Sequence, residues 1–465
     1  MPADSLTPEA KRENAIALAA ALGIQVEEAA TALDLFILVT ADERDQSAQR
    51  LAAECVALLS RTVQCASEIE SKGRVVAELV IGSSRQRTNA TAIYVEVLMD
   101  RIVIGRGVQP AAQCAPVPPI LALLGACYAS AAALYHAIDG RLALGLPEPL
   151  IVDFAQLGVS ASALAAPIDI GRTYLAGAGA IGNGFLWAAR HLDIRGRLDI
   201  ADDDLVSSGN LNRQVWFEAD DVGQGKADRL SVRAQSHLPL LKLVPRAARL
   251  QDLPEKSEGP WLERLIVAVD SRRARRALQN EFPGEVFDAS TTDIREIVVS
   301  YNRQPADAAC LSCIYEPDQE EHSRERHIAE HLGVSLQAVR AERISEGEAQ
   351  AIATKFPGLV AADLVGTAYD SLFKRLCAES ALQTLEGKRI VAPFAFVSVL
   401  AGTMLALEVV RRRRSASNPH DNYWRLSPWH PPFLRRRMLR ARQVNCSFCG
   451  NPVLRRVNES LWNRA

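Results

Sequence analysis

Four cysteines and a few charged residues in the second half of the chain could do chemistry. Cys310 and Cys313 form one Cys-x-x-Cys pair, and Cys446 and Cys449 form another. Four thiolates at that spacing describe a tetrahedral structural zinc site. Roughly 130 residues separate the pairs, so this is a clasp that ties a distant segment back onto its domain, not a local finger. Two disulfides are the competing reading, which needs an oxidising compartment. Upstream stands Gly177-Ala-Gly-Ala-Ile-Gly182, a G-x-G-x-x-G turn. Gly177, Gly179 and Gly182 permit the tight turn and let backbone N–H groups approach phosphate oxygens. Asp202 follows at the spacing where a carboxylate accepts a ribose hydroxyl. Up to this point a ligand-free turn or an NAD dehydrogenase fits as well. The run that follows separates these readings. Arg213 and Lys226 would neutralise charge developing on phosphate oxygens, which hydride transfer does not require. Asp204 and Asp270 are hard oxygen donors suited to magnesium.

The elements that must hold these residues alternate between strand and helix. Arg172–Ala176 reads as a strand entering the glycine turn, Gly184–His191 as the helix leaving it, Arg197–Ile200 as the next strand, and Leu265–Val269 as a strand ending at Asp270. Such alternation implies α/β architecture with a parallel, doubly wound, Rossmann-like sheet. Residues 151–465 form this unit. Within it, 316–390 is a polar helical insert and 420–465 the segment carrying the second cysteine pair. His327–Ser335 in the insert has the pattern of two helices meeting at Gly333, the flavour of a helix-turn-helix.

Residues 1–150 repeat the alternation without a phosphate-binding turn. Helix signals cover Thr7–Leu22, Ser47–Leu59 and Ile120–Ile138, and strand signals cover Leu33–Val39, Val75–Ile81 and Ala92–Leu98. Gly140–Pro149 reads as a linker, with a second unit beginning near Ile151. The segment from Pro119 resembles the segment from Pro393 in pattern, as an internal duplication would require, although two small-residue helices can look alike by chance. The stretches Val117–Ala137 and Val391–Leu407 read as buried core helices, not membrane spans. Arg411–Arg414 reads as a solvated helix end.

Composition agrees. The chain has 465 residues, a formal charge of -2 and 48% hydrophobic residues. It can bury large cores, and near-neutral charge argues against nucleic acid as the partner. Nine cysteines and no secretory signal pattern point to a reducing, cytoplasmic setting without a membrane partner.

With Asp-x-Asp-x-Val, Asn210-Leu-Asn-Arg213-Gln214, Gly223-Gln-Gly-Lys226, Val269-Asp-Ser271 and the split cysteines added to the glycine turn, residues 172–452 resemble the ThiF/MoeB/ubiquitin-activating superfamily. The resemblance implies ATP, magnesium and zinc as cofactors. It implies that Gly177, Gly179 and Gly182 carry the nucleotide phosphates and that Asp202 holds the ribose. Asn210, Arg213 and Gln214 would face the triphosphate, Lys226 would stabilise departing pyrophosphate, and Asp270 would bind magnesium. Cys377, in Arg375-Leu-Cys-Ala-Glu-Ser, matches the region where related enzymes carry a catalytic cysteine, and Lys374 or Arg375 beside it could lower its thiol pKa. A buried structural cysteine is the alternative. Cys55, Cys65, Cys114 and Cys127 have no comparable setting.

Two departures from the family pattern stand out. Ser271 occupies a position that is usually Asn. The Arg-Tyr-x-Arg-Gln block that supplies an arginine to a neighbouring ATP site is missing before the glycine turn, which leaves Arg85 or Arg87 as candidates. The resemblance then implies a degenerate, inactive adenylation domain at 1–150, forming an intramolecular pseudodimer, with a homodimer as the other possibility. The implied activity is adenylation of the terminal glycine of a ubiquitin-like protein, a thioester on Cys377, and transfer to a conjugating enzyme. The compact Ala- and Arg-rich chain resembles bacterial ubiquitin-like conjugation systems. A sulfur-carrier or peptide adenylyltransferase without the thioester, and a non-enzymatic binding scaffold, are the alternatives.

Overall fold

The computed structural model describes residues 6–68, 74–108, 113–142, 145–304, 308–317, 319–341, 343–369, 372–373, 376, 393–414, 421–433 and 436–462. The chain divides into two compact units, Met1–Tyr315 with Ala392–Ala465, and Glu316–Val391.

The larger unit holds two sheets. The first contains β1 (Phe36–Ala41), β2 (Gln64–Ala66), β3 (Val75–Ile81), β4 (Thr91–Val97), β5 (Arg101–Gly105) and β6 (Leu150–Asp153), in the order β2-β1-β3-β4-β5-β6. The first four in that order are parallel, and β5 and β6 are antiparallel additions. The second contains β7 (Ile168–Ala176), β8 (Ile194–Ala201), β9 (Leu241–Arg246), β10 (Arg264–Val267), β11 (Glu285–Thr292), β12 (Glu296–Arg303), β13 (Tyr423–Leu426) and β14 (Arg437–Met438). Its order is β14-β13-β12-β11-β10-β7-β8-β9. It is parallel from β9 to β11 and antiparallel beyond.

The two sheets share a common arrangement, to which the second adds β9 at one edge and β14 at the other. In each, the first strand leads through a helix to a parallel neighbour on one side (β2 or β8), and two parallel strands and an antiparallel strand lie on the other side. In each, a long apolar helix then precedes a further antiparallel strand, β6 or β13. Those helices are Pro119–Ala137, between β5 and β6, and Ala395–Arg414, between β12 and β13. The likeness of the two segments in sequence thus coincides with equal places in the topology. The first sheet takes its last strand from Leu150–Asp153, across the boundary read near Ile151. Helix Val26–Leu33 precedes β1 and shifts that strand to a later start than Leu33.

Both long helices are buried almost throughout. They pack against each other, each also packs on the helix that follows the first strand of its own sheet (Gln46–Leu59 or Ala180–Ala189), and each reaches the other half's copy of that helix. Pro119–Ala137 is long and apolar enough to cross a membrane, but 89% of its apolar window is buried in the core. Helix Ala395–Arg414 crosses Ala180–Ala189 so closely that a Cβ on Gly402 would fall onto the Gly184 backbone. Small residues are therefore required at this crossing.

The end of that helix is solvated only in part. Arg412 and Glu408 are nearly inaccessible, and Arg411 is mostly covered. Glu408 accepts from Arg411, Arg412 and Arg437 at 2.5–3.0 Å. Asp421 accepts from Arg412 and Arg411 as well. The local run of four arginines reads as a solvated face; Arg413 and Arg414 are exposed as that reading expects, whereas acidic partners and Arg437 of β14 cover Arg411 and Arg412.

The smaller unit is helical: Gln319–Leu332, Leu336–Arg340, Glu346–Lys355 and Ala361–Leu364. Ile328, Leu332, Val339, Ile352, Leu364, Tyr369 and Phe373 form its core. Gly333, at φ +73°, makes the turn between its first two helices, as the sequence pattern suggests.

Candidate active site

Strand β7 delivers the glycine turn to the carboxyl edge of the second sheet. Gly177 has φ +101°, and a Cβ there would meet the Ala268 carbonyl at 2.7 Å, so only glycine fits. A Cβ on Gly182 would fall onto the Gly177 carbonyl, whereas beside Gly179 there is open space. Gly179 is the N-cap of helix Ala180–Ala189, and no side chain caps it. Among the described residues no side chain competes for the first N–H groups of this helix, and the partial positive charge of a helix start favours an anion there. After β1, at the equivalent place in the first half, Asp45 fills that position. Its carboxylate accepts from Ala48 N at 2.9 Å and Cys114 N at 2.6 Å. A fixed carboxylate at that helix start would repel phosphate.

Asp202 follows β8 directly and turns back to the glycine turn, accepting from Ala178 N at 2.7 Å and from Asp204 N at 2.9 Å. Burial pushes its pKa from 3.8 up to about 6, against the pull of Lys226 and the two amides and with a further push from Asp204. Residues 204–206 and 223–226 pair across an isolated bridge between Leu205 and Gly225, and Lys226 N donates to Asp204 O. This places the Lys226 ammonium 2.8 Å from Asp204 Oδ2. Lys226 is buried while Asp204 is exposed. The carboxylates of Asp202, Asp203 and Asp204 lie within 4.8 Å of one another, a spacing that could hold a cation.

The run from Ser207 to Phe217 carries the remaining candidates on a short 3-10 turn, Ser208–Asn212. Asn210 closes that turn by accepting from Ser207 N. Arg213 donates to Gly209 O at 3.2 Å and to Asn212 Oδ1 at 2.7 Å. Burial lowers the Arg213 pKa, opposed by Glu13 and by Asp270, so the structure brings the Asp270 charge to bear on Arg213. Gln214 is buried, and among the described residues its Oε1 has no hydrogen-bond partner. Asp270 is exposed beyond the end of β10. Ser271 caps the next helix, accepting from Ala274 N at 3.0 Å, a role that serine fills as well as asparagine does.

Three positioning residues escape a reading of local spacing. Asn183 donates to Ala178 O and Gly179 O and accepts from Trp216 N, joining the glycine turn to the Arg213 run. A buried asparagine in an apolar helix was the signal. Asn14 and Arg61 reach the same run from the first half. Arg87, by contrast, is held within its own half by Glu78 and Ser67. Cys377, Lys374 and Arg375 lie outside the described residues. Cys55, Cys65, Cys114 and Cys127 are buried, and burial raises each thiol pKa, Cys114 to about 12. None of these four is suited to nucleophilic attack.

Residues 7–160 match the E1 N-terminal domain. Residues 165–448, more than half of the chain, match the ThiF family. The chain belongs to the ThiF family. It is 32% identical over 261 residues to protein y4jF of Sinorhizobium fredii (strain NBRC 101917 / NGR234), covering 53% of this chain and 49% of that one. It is 36% identical over 130 residues to ubiquitin-activating enzyme E1 1 of Candida albicans (strain WO-1), covering 26% and 13%. It is 25% identical over 223 residues to the sulfur carrier protein ThiS adenylyltransferase of Escherichia coli (strain K12), covering 45% and 77%. The chain thus spans about half or less of the length of the first curated relatives it matches.

In this ThiF-family chain the four clasp cysteines meet. Their Sγ atoms are 3.7 Å apart for Cys310–Cys313 and Cys310–Cys446, and 3.3 Å apart for Cys313–Cys449. These separations are far longer than a disulfide bond of about 2 Å. They are close to the ~3.8 Å edge of a tetrahedron with metal–sulfur bonds of about 2.3 Å. Gln443 N points at Cys313 Sγ from 3.4 Å, and Phe282, Phe448 and Leu454 close around the cluster. The donor set fits a single thiophilic metal ion.

Proposed function

We propose that the chain activates the terminal carboxylate of a ubiquitin-like protein by ATP-dependent adenylation, as the activating enzyme of a bacterial conjugation system. The observation that supports this reading is that Asp202 hydrogen-bonds the glycine turn, Lys226 pairs with Asp204 two residues on, and Asn183 ties the Arg213 run to the same turn. The order of an E1 N-terminal domain followed by a ThiF domain supports it. The ATP triphosphate would lie on the Gly177–Gly182 turn, with Asp202 accepting from the ribose and Asn210 and Gln214 beside the phosphates. A carboxylate oxygen attacks the α-phosphorus. The bond from that phosphorus to the bridging oxygen breaks, and pyrophosphate leaves with charge spread over oxygens near Lys226 and Arg213. Asp270 and Asp204 would hold magnesium, which supplies further charge neutralisation on the triphosphate. The Cys377 thiolate then attacks the acyl carbon and AMP leaves. A conjugating-enzyme thiol accepts the acyl group in turn. The first half serves as the inactive partner of an intramolecular pseudodimer, with Asp45 where an active copy needs an open helix start.

The test is ATP–pyrophosphate exchange dependent on a ubiquitin-like partner. Absence of exchange with every small glycine-ended protein encoded beside this chain would count against adenylation. Cys377→Ala should leave exchange intact and remove a thiol-cleavable adduct. If wild type forms no such adduct, the second reading stands: adenylation of a sulfur carrier or peptide without a thioester, which the match to 77% of the ThiS adenylyltransferase favours.

Two further results are expected. Nucleotide affinity should fall as pH drops through about 6, because Asp202 becomes a neutral acid and loses acceptor strength toward the ribose. The sign for folding is opposite: a folded pKa above the ordinary 3.8 means that ionising Asp202 costs stability as pH rises through about 6. Calorimetric titration of Asp202→Asn should show a flat profile between about pH 5 and 7; a profile matching wild type would refute the assignment. The clasp should carry one zinc per chain. Cys446→Ala should lose it and several kcal/mol of stability; full zinc content in the variant by elemental analysis would exclude the site.

A further inference from the structure

The Arg213 run has little regular structure of its own: between Asp202 and Lys226 there are only two short 3-10 turns and one isolated bridge. Something else must fix the carbonyls and side chains there. Arg61, at the end of helix Gln46–Leu59 in the first half, is buried, and its guanidinium fans across the run. Nη1 donates to Leu211 O at 2.8 Å and Phe217 O at 2.9 Å, and Nη2 donates to Val215 O at 3.0 Å. The Arg61 carbonyl in turn accepts from Asn14 Nδ2 at 2.8 Å. Asn14, fully buried, accepts from Asn212 Nδ2 at 2.9 Å, and Asn212 Oδ1 accepts from Arg213 at 2.7 Å. Thr7 adds a bond to Ser208 O at 3.0 Å.

Burying a guanidinium without a bidentate carboxylate costs several kcal/mol, and its planar fork is suited to fixing several oxygens at once. An apolar side chain could fill the same volume, but it could not hold three carbonyls in one geometry. Burial lowers the Arg61 pKa only to about 10, against Glu218, so the cation persists at neutral pH.

We infer that Arg61, with Asn14, is a positioning residue: the first half of the chain, itself without a phosphate turn, holds the 208–217 run so that Arg213 and Gln214 face the nucleotide. The inference rests on the adenylation reading for its catalytic consequence, and on geometry alone for its structural one. Neither residue touches the phosphates in this account; both act through the backbone and Asn212.

The experiment compares wild type with Arg61→Ala, Arg61→Lys and Asn14→Ala by two readouts. Hydrogen exchange of the amides of residues 208–217 requires no activity. These amides should lose protection at least about tenfold in Arg61→Ala while the β7, β8 and β10 amides keep theirs. Partner-dependent ATP–pyrophosphate exchange should show kcat down by about 100-fold in Arg61→Ala, with KM for ATP changed far less. Millimolar guanidinium should restore part of that rate, and Arg61→Lys should not, because an ammonium cannot span the three carbonyls. Unchanged 208–217 protection in Arg61→Ala overturns the inference. So does a uniform loss of protection over the whole larger unit, provided that Asn14→Ala, which keeps the guanidinium, leaves both the run and the rate at wild-type values. If wild type shows no pyrophosphate exchange, the adenylation reading fails while the hydrogen-exchange arm still decides the positioning role.

Discussion

On the proposed role of Asp270 in holding magnesium, Asp270→Ala should lower partner-dependent ATP–pyrophosphate exchange by about 10²–10³-fold, because a carboxylate that fixes a divalent cation contributes several kcal/mol to charge stabilisation in the transition state. Asp270 stands exposed at the carboxyl edge of the second sheet, and its charge favours the cationic form of the half-buried Arg213. It favours that of Arg275 too, where burial is outweighed by Tyr315, Asp288 and Asp270 together. The fold should barely register the change. Ser271, not Asp270, caps the following helix, and exposed charges contribute about 1 kcal/mol or less. Arg275 keeps Asp288 at 2.8 Å and the Ala289 carbonyl at 2.7 Å. The measurement is therefore the exchange rate together with the denaturation midpoint. Near-wild-type exchange in a folded Asp270→Ala protein would remove the residue from the site, and a large loss of stability would make its role architectural.

Glu408→Ala should have the opposite profile, costing about 3–5 kcal/mol of stability, the usual cost of removing one member of a buried ion network. Three arginines converge on this one carboxylate, and after the change Arg412 and Arg437, both with nearly inaccessible side chains, would keep among the described residues only Asp421, Leu157 O and the faces of Tyr301 and Trp424. Burial alone would raise the Glu408 pKa, but Arg412, Arg437 and Arg411 hold it down to about 2. A folded pKa below the ordinary 4.5 means that the contribution is present above about 4.5 and is lost as pH falls through about 2. Wild type should lose stability across that window, and Glu408→Ala should lose less of what remains. An unfolding free energy from urea titration for Glu408→Ala within about 1 kcal/mol of wild type at neutral pH would show that the network is neutral, as some buried ion clusters are.

Much of the candidate site was legible because its chemistry is written at short spacing. Gly177, Gly179 and Gly182 fall on one turn whatever surrounds them, and the strand ending at Asp202 brings its carboxylate back to the same turn. Gly223-x-x-Lys226 needed only a bridge to the 204–206 segment to put the ammonium against Asp204. The duplication was half legible. A shared helix pattern pointed to it, but strand orders that correspond apart from β9 and β14, fixed by pairings between distant segments, were needed to define it.

Asn14 and Arg61 were illegible for a plain reason: their partners lie 150 or more positions along the chain, and nothing in Arg61-Thr62 or Glu13-Asn14 marks them as different from surface polar residues. Arg411 and Arg412 misled for the same reason, while Arg413 and Arg414 are exposed as their run suggests. A run of like charges is solvated unless something opposes it, and Asp421 and Arg437, which complete the network with Glu408, arrive only when β13 and β14 join the sheet.

By itself, then, the sequence determined which atoms could handle phosphate and thiophilic metal, since donor type and near-neighbour spacing are local properties. Only the tertiary structure decided which charges are buried, what holds the Arg213 run in shape, and which of two like halves keeps an open helix start. Those depend on desolvation and on hydrogen bonds between segments that meet only after the chain has folded.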